Sequence, residues 1–366
     1  MQKDRSAVCG AVFFTKQQTL FCQQMKRVNI LLRVAFGWAM MVALLMVSSC
    51  SQSLIFEGEG DCGIYYRIRF KYDYNIKFAD AFANEVNSVA LYVFDQNDRL
   101  LEQHVTSDKE ALASGNFEIE LELEPQRYTL LAWAGLDDEE SFRLLADAEV
   151  GVTTLQQMQV KMQVDYNEAG EAIVTEDLKP LFHAVKEIVV EDMPGTYTET
   201  MSLMKNTNVV RVLLHELSGK EISVDKFIFE IKDNNGFYNW DNAIIRDQMI
   251  TYSPWYVATG TADVEQSRAA TTISVALAEY TIGRMSASSS PVLSVKNRET
   301  GELVLSIPIA DYALLIKGNY RHDMGDQEYL DRQDEYSMTF FLDEGEWVSS
   351  YILINSWRVV LNDTDL

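Results

Sequence analysis

The sequence has little cysteine and little histidine, with four of each among 366 residues. The cysteines are Cys9, Cys22, Cys50 and Cys62, and none of their spacings is a zinc-binding motif. The dispersed histidines belong to no HExxH motif, and no GxSxG motif or glycine-rich phosphate loop occurs. The sequence therefore predicts no catalytic site, no metal site and no cofactor, and hence a protein that is not an enzyme.

Positive charge is also scarce. The chain has 31 lysines and arginines against 55 aspartates and glutamates, a formal net charge of −24. Binding to nucleic acid relies on cations that displace counterions from phosphate, so this composition excludes a nucleic-acid partner. An anionic membrane surface would also repel the chain, so a position at a membrane requires a lipid anchor.

Long hydrophobic runs are absent except for one, Val34–Val47, which follows the basic residues Lys26, Arg27 and Arg33. Fourteen residues of helix span about 21 Å, short of the ~30 Å hydrocarbon core. A basic head, a short apolar run and then small residues form the pattern of a secretion signal. The run therefore predicts export, with Met25 as the true start.

The residue that follows the small pair Ser48-Ser49 is Cys50. A cysteine at this position is what bacterial lipoprotein processing requires, so we expect Cys50 to be the acylated first residue of the mature protein. Ordinary signal cleavage, with a free Cys50, is the alternative. Loss of residues 1–49 removes six cations and one anion, which changes the net charge from −24 to −29. Residues 50–64 are predicted to be a tether.

After the tether, apolar residues recur with a period of two. Tyr66, Ile68 and Phe70 alternate with basic residues, and Phe117–Glu124 alternates four apolar residues with four glutamates. Such strands have one face in a core and one in water. Helical patterns are confined to two short stretches, Lys77–Val86 and Asp137–Ala146. An all-β fold of antiparallel sandwich type is therefore predicted.

A break at Glu191–Gly195 is followed by a second series of strands, which begins at Thr207. We therefore predict two tandem antiparallel Greek-key β-sandwich domains, residues 65–192 and 193–366. Within the second domain, Asp233–Gly236 is expected to be a tight turn in which the glycine supplies a positive φ.

Two aromatic residues, Trp240 and Trp255, lie near predicted turns and are therefore predicted to be exposed. They could stack on sugars or on partner proteins, although aromatic residues also close the ends of sandwich cores. Three carboxylate clusters, Asp95/Asp98, Asp137–Glu140 and Asp323/Asp326, lack the ligand periodicity of a calcium loop. Solvated turns explain these clusters better than calcium sites.

The last predicted strand is Tyr351–Leu361, close to the chain end, where a strand is easiest to exchange between subunits. We interpret it as a candidate strand-exchange segment, and its alternative role is to complete the core of its own domain. The candidate residues are Ile352, Leu353, Ile354, Trp357 and Val359.

Three stretches of the sequence resemble the fimbrillin-associated anchor subunits of Bacteroidales-type fimbriae. They are Tyr65–Asp95, Leu121–Leu136, and the closing pair Glu328–Asp343 and Ile352–Asp363. This chain departs from the family at two places. It has Pro125-Gln126 where the family often has Pro-Gly, and Asn355-Ser356-Trp357 where the family often has Asn-Gly-Trp. Both departures affect turn geometry.

The resemblance implies two transthyretin-like sandwiches, a lipid anchor in the outer membrane, and a place at the base of a fimbrium, where the protein limits fimbrial length. It implies a fimbrillin shaft subunit as partner, held by β-strand complementation, in which backbone hydrogen bonds supply strength and alternating side chains supply specificity. Two alternatives stay open. One is a carbohydrate- or host-protein-binding surface lipoprotein, and the other is a surface hydrolase.

Overall fold

The computed structural model describes residues 63–137, 140–266, 269–320, 323–349 and 351–360. The predicted signal, Cys50 and the tether up to Cys62 lie outside these residues. From Gly63 to Leu366 the chain forms one compact unit. No helix in the described part has the length and apolar character needed to cross a membrane.

Strands dominate the described residues. In chain order they are β1 (Ile64–Lys71), β2 (Val89–Phe94), β3 (Leu100–Thr106), β4 (Glu118–Glu122), β5 (Arg127–Ala134), β6 (Phe142–Leu144), β7 (Val160–Met162), β8 (Asp165–Tyr166), β9 (Ala172–Val174), β10 (Phe182–Val189), β11 (Gly195–Ser202), β12 (Met204–Lys205), β13 (Thr207–Glu216), β14 (Phe227–Asp233), β15 (Phe237–Tyr238), β16 (Ile250–Tyr252), β17 (Tyr256–Gln266), β18 (Ala269–Gly283), β19 (Val292–Asn297), β20 (Leu303–Pro308), β21 (Glu335–Asp343), β22 (Glu346–Trp347), β23 (Tyr351–Ile354) and β24 (Trp357–Val360). The prediction of an all-β fold is confirmed.

The helices of the described residues are short. They are α1 (Phe82–Glu85), α2 (Lys109–Leu112), α3 (Ile309–Leu314), α4 (Lys317–Tyr320) and α5 (Asp326–Arg332), with single 3₁₀ turns at Leu155–Gln157 and Val224–Lys226. Helices α3 to α5 were not predicted from the sequence. A signal for α3 is nevertheless present, because Ile309, Tyr312 and Ala313 recur at helical spacing and are all buried.

The strands form five sheets. A three-stranded sheet has the order β11-β1-β4, and a five-stranded sheet has the order β12-β10-β5-β2-β3. A six-stranded sheet has the order β20-β19-β14-β16-β9-β8, and a small sheet has the order β15-β7-β6. The largest sheet has the order β17-β18-β13-β21-β23-β24, with β22 beside β21. Most neighbours are antiparallel, whereas β1 with β11, β13 with β21 and β16 with β9 are parallel.

The first core lies between the three-stranded and five-stranded sheets. In β1 the residues Ile64, Tyr66, Ile68 and Phe70 are buried and alternate with more exposed ones, as the period of two predicts. The glutamates of β4 face outward and pair across the sheet, with Arg69 Nε 3.1 Å from the carboxylate of Glu118. The outer face of this sheet is therefore a charged, solvated surface.

The central strands β2 and β5 of the five-stranded sheet are buried on both faces, whereas β3 at its edge is partly exposed. In β2, Val89, Leu91 and Val93 enter the first core, while the alternate residues enter the second core. The second core continues through the six-stranded and seven-stranded sheets. A strand that is covered on both faces has apolar residues at consecutive positions, which explains the sequence VALYVF of β2.

Strand pairing crosses the predicted domain division at four places among the described residues. β11 and β12, which follow Pro194, pair with β1 and β10. In the other direction, β7 and β9 pair with β15 and β16 of the later half. The division into residues 65–192 and 193–366, with its Greek-key details, stays a prediction.

The two helix predictions need correction. Asp137–Ala146 contains β6, in which Phe142 is fully buried and the strand pairs with β7. In the stretch Lys77–Val86 only α1 is helical. The Asp80 carboxylate accepts hydrogen bonds from the backbone N–H groups of Tyr72 and Phe82, a local alternative to helical bonding.

The turn predicted at Asp233–Gly236 is also wrong. β14 and β15 belong to different sheets, so no hairpin forms, and φ of Gly236 is not positive. The glycine lies close to the core. A Cβ atom at residue 236 would lie 2.4 Å from Cδ1 of Ile250 and 3.3 Å from Cβ of Met162, so the Ile250 side chain would have to move to admit one.

The final predicted strand is in fact a hairpin of β23 and β24. Its two turn residues have positive φ, 47° at Asn355 and 70° at Ser356. Two consecutive positive φ values are typical of the two-residue turn that favours Asn-Gly. Asn355 suits this conformation, whereas Ser356 has a Cβ that disfavours it.

We expect Ser356→Gly to stabilise the protein by about 0.5–1 kcal/mol, because glycine reaches positive φ without a steric cost. Thermal unfolding should show a rise of about 1–3 °C. The matched control is Ser306→Gly in β20, an exposed strand position, which should lower the melting temperature. A fall for both variants would contradict the turn geometry.

Candidate functional site

The C-terminal hairpin is the outermost part of the seven-stranded sheet. β23 pairs with β21 through only two residue pairs, Met338 with Ile354 and Thr339 with Leu353. The next part of β21 pairs with β22 instead, through Leu342 and Trp347. The hairpin is therefore attached to its sheet over a short length of backbone.

Side chains hold the base of the hairpin more firmly. Ile352 and Ile354 are fully buried in the second core. Asn355 closes the end, because its N–H donates to the carbonyl of Ser337 at 2.8 Å and its side-chain Oδ1 accepts the Ser337 N–H at 2.7 Å. β23 thus completes its own domain in this structure.

The outer strand β24 is much more exposed. Trp357 and Val360 are 44% and 61% exposed, and Arg358 stacks on the ring of Tyr351 at 4.3 Å. Val359 packs partly against the second core. Within the described residues, the far edge of β24 has no strand beside it. The five predicted exchange residues therefore lie in one hairpin, two in the core and three nearer the surface.

Trp240 lies in a rigid turn after β15. Its carbonyl accepts a hydrogen bond from Nε2 of His183 at 2.8 Å, and burial lowers the pKa of His183 to about 4, so the imidazole is neutral. The Asn242 side chain exchanges two hydrogen bonds with Asn206, at 2.6 and 3.0 Å. The Trp240 side chain packs partly on the second core and lines a cleft with acidic residues, which include Asp98, Glu187 and Asp241.

Trp255 occupies a different surface, at the start of the edge strand β17. It is 38% exposed and lies 5.9 Å from the ring of its neighbour Tyr256, which is 47% exposed. The cleft beside Trp240 does not include Trp255. The two predicted stacking residues therefore do not form one site.

Titratable side chains are dispersed among the residues that the structure describes. No group of three or more His, Cys, Asp or Glu residues there could hold a metal ion. His104 pairs with Glu102 at the edge of the five-stranded sheet, and His183 is buried in the same sheet. His215 packs against Phe341 in the seven-stranded sheet, where burial lowers its pKa. His322 lies outside the described residues, as does Cys50.

The edge strand β3, which ends the five-stranded sheet, was not predicted from the sequence. The turn Asp95–Asp98 was recognised, but the strand that follows it was not. Its signal is the spacing of two apolar residues directly after that turn. Leu101 and Val105 lie on the same face of a strand, with Gln103 between them on that face.

In the part of the chain that the structure describes, an all-β body presents sheet edges with no further strand beside them, an arrangement that suits a protein of binding or assembly. The family model described as fimbrillin-A associated anchor proteins Mfa1 and Mfa2 matches residues 59–363, and the chain belongs to this family. The predicted resemblance is confirmed. The family gives the chain a fimbrial or adhesive role at the cell surface.

Solved structures agree with this family. A candidate adhesin of Bacteroides thetaiotaomicron VPI-5482 is 31% identical with a TM-score of 0.71, over 81% of this chain and 98% of that chain. A candidate polysaccharide-binding protein of the same strain is 29% identical with a TM-score of 0.70, over 83% and 100%. The fimbrial anchor protein Mfa2 of Porphyromonas gingivalis, 18% identical with a TM-score of 0.61 over 82% and 100%, shares the fold. No curated protein matches the chain.

The two tryptophans should differ in their effect on stability. Trp240→Ala should lower the free energy of unfolding by about 2 kcal/mol or more, because it removes a side chain packed on the core. Trp255→Ala should change it by no more than about 0.5 kcal/mol, as is usual for surface positions. Denaturant unfolding of both variants measures this difference, and equal effects would contradict the assigned packing.

Proposed function

We propose that this protein is an outer-membrane lipoprotein that anchors the base of a fimbrium and limits its length. Cys50 carries the lipid, and the C-terminal hairpin holds the fimbrillin shaft subunit by β-strand complementation. The observation that carries this proposal is the exposed strand β24, beyond which no other described strand pairs, in a member of the anchor family.

The geometry of the hairpin favours β24 as an edge that accepts a strand. A shaft strand can pair with the outer backbone of β24 while Ile352 and Ile354 stay in the core. Donation of β23 to another subunit would instead expose both isoleucines, at a cost of about 1.5–3 kcal/mol each. Trp357 and Val359 then supply the side-chain contacts that select the shaft.

Attachment to the membrane must come from lipid. The mature chain carries a net charge of −29, which an anionic surface repels. A single acyl chain binds a bilayer only marginally, whereas two or more hold a protein stably. Acylation of Cys50 on both its sulfur and its amino group meets this requirement.

The first test replaces Cys50. Cys50→Ala should move the protein out of the membrane fraction and leave fimbriae in the culture medium, because no acyl chains remain. Fractionation, imaging of fimbriae and labelling with a palmitate analogue measure the three consequences. Cys62→Ser is the matched control and should keep all three unchanged. Palmitate labelling that persists in Cys50→Ala would refute the assignment.

The second test removes β24 by truncation after Ser356. The core residues of β23 remain, so the protein should stay folded and membrane-bound, yet it should no longer retain the shaft. Thermal unfolding and fimbrial retention are measured on the same variant. The matched control, Ile352→Ala with Ile354→Ala, should cost about 4 kcal/mol or more in stability. Normal retention by the truncated protein would exclude β24 as the shaft contact.

Binding of carbohydrate or of a host protein is the second candidate function. It rests on the exposed pair Trp255 and Tyr256 and on the relative described as a candidate polysaccharide-binding protein. Deletion of the gene separates the two candidates. Long or shed fimbriae support the anchor, whereas normal fimbriae with lost ligand binding support the second role.

A further inference from the structure

The five-stranded sheet ends in an edge strand, β3, whose outer side is only partly covered. At its first residue, Leu100 donates its N–H to the carbonyl of Thr153 at 2.9 Å and accepts the N–H of Gly151 at 2.7 Å. Beyond that point, from Leu101 to Val105, β2 is the one strand that pairs with β3 among the described residues. An edge of this kind is a ready template for another strand.

The side chains along this edge are apolar on one face and charged on the other. Leu101 and Val105 are 40% and 66% exposed, and Val105 lies opposite Ala90 of β2. On the other face, Nε2 of His104 lies 3.3 Å from the Glu102 carboxylate. Edge strands often avoid pairing by means of lysines or prolines, and this edge has neither between Leu101 and Val105, where Glu102 is the one acidic residue.

The order of these residues is self-complementary. If two copies of β3 run antiparallel with Gln103 opposite Gln103, Leu101 lies opposite the partner's Val105. Glu102 then lies opposite the partner's His104, so a carboxylate meets an imidazole that can donate a hydrogen bond to it at two symmetric positions. Both kinds of cross-strand pair are stabilising, whereas like charges would repel. A two-fold axis through Gln103 therefore gives every residue from Leu101 to Val105 a partner in the second copy.

The neighbouring loop adds apolar surface to the same edge. Val150 and Val152 are 51% and 57% exposed and flank Gly151, which bonds to Leu100. The covered backbone of Leu100 also fixes the length of the pairing, because a second strand can extend only to residue 101.

We propose that β3 is a homodimerisation edge, occupied by β3 of a second copy in an antiparallel register centred on Gln103. A five-residue ladder is a small interface, so the dimer is weak and transient in solution. This interface is separate from β24, and it requires neither lipid attachment nor shaft binding.

A disulfide trap tests the register. Gly63–Leu366 is one compact unit with its sheets and cores internal to it, and all four native cysteines precede it. In this unit Gln103→Cys places two thiols on residues whose Cα atoms lie about 4.5–5.5 Å apart, within the range of a disulfide. In the control Thr106→Cys the two residues are about 20 Å apart. Mild oxidation should give a covalent dimer only for Gln103→Cys.

A charge exchange gives the second measurement. Sedimentation up to about 0.5 mM should show Glu102→Lys and His104→Glu each weakening the dimer about three- to tenfold. The first variant loses the contact between carboxylate and imidazole, and the second places two carboxylates opposite each other. The double variant should bring the dissociation constant back to the native value or below it, because each lysine then lies opposite a glutamate. Thermal unfolding checks that every variant is folded. A native unit that stays monomeric, equal cross-linking of both cysteine variants, or a double variant as weak as the single ones would overturn the proposal.

Discussion

The structure depends on two central strands of the five-stranded sheet, β2 and β5, whose two faces are both covered by protein. In β5, Leu131 and Trp133 enter the second core, while Leu130 and Ala132 enter the first. Without the five-stranded sheet, each core would therefore lose one of the sheets that enclose it. Burial of apolar surface on both faces stabilises the sheet and connects the halves of the molecule, because a change in β2 or β5 affects both cores.

Polar contacts fix the geometry where the chain passes from β12 to β13. The ammonium group of Lys205 lies 2.9 Å from the Glu85 carboxylate and 3.0 Å from that of Asp334, and it is nearly buried. Further along, Arg284 makes two hydrogen bonds to Asp331, at 2.7 and 2.9 Å. Buried charges are costly unless they are paired, so these pairs hold the late helical segment in a single arrangement.

A fimbrial protein needs surfaces that can take part in assembly without loss of the fold. Here the exposed edges lie at the ends of their sheets, and their inner neighbours carry the buried side chains. β24 contributes little to the core, whereas β23 contributes Ile352 and Ile354. This separation lets backbone hydrogen-bonding groups stay available to partners while packing is retained.

The sequence alone determined the properties that depend on local pattern. Alternation in β1 and in Phe117–Glu124 was sufficient for the all-β class, because a residue two positions along a strand faces the same side. The family resemblance was also visible in the sequence. Tertiary structure alone decided which strands share a sheet, that Gly236 lies against the Ile250 side chain, and that the last apolar segment folds back at Asn355-Ser356. These features arise from contacts between residues far apart in the chain or from backbone angles, and a pattern of hydrophobicity contains neither.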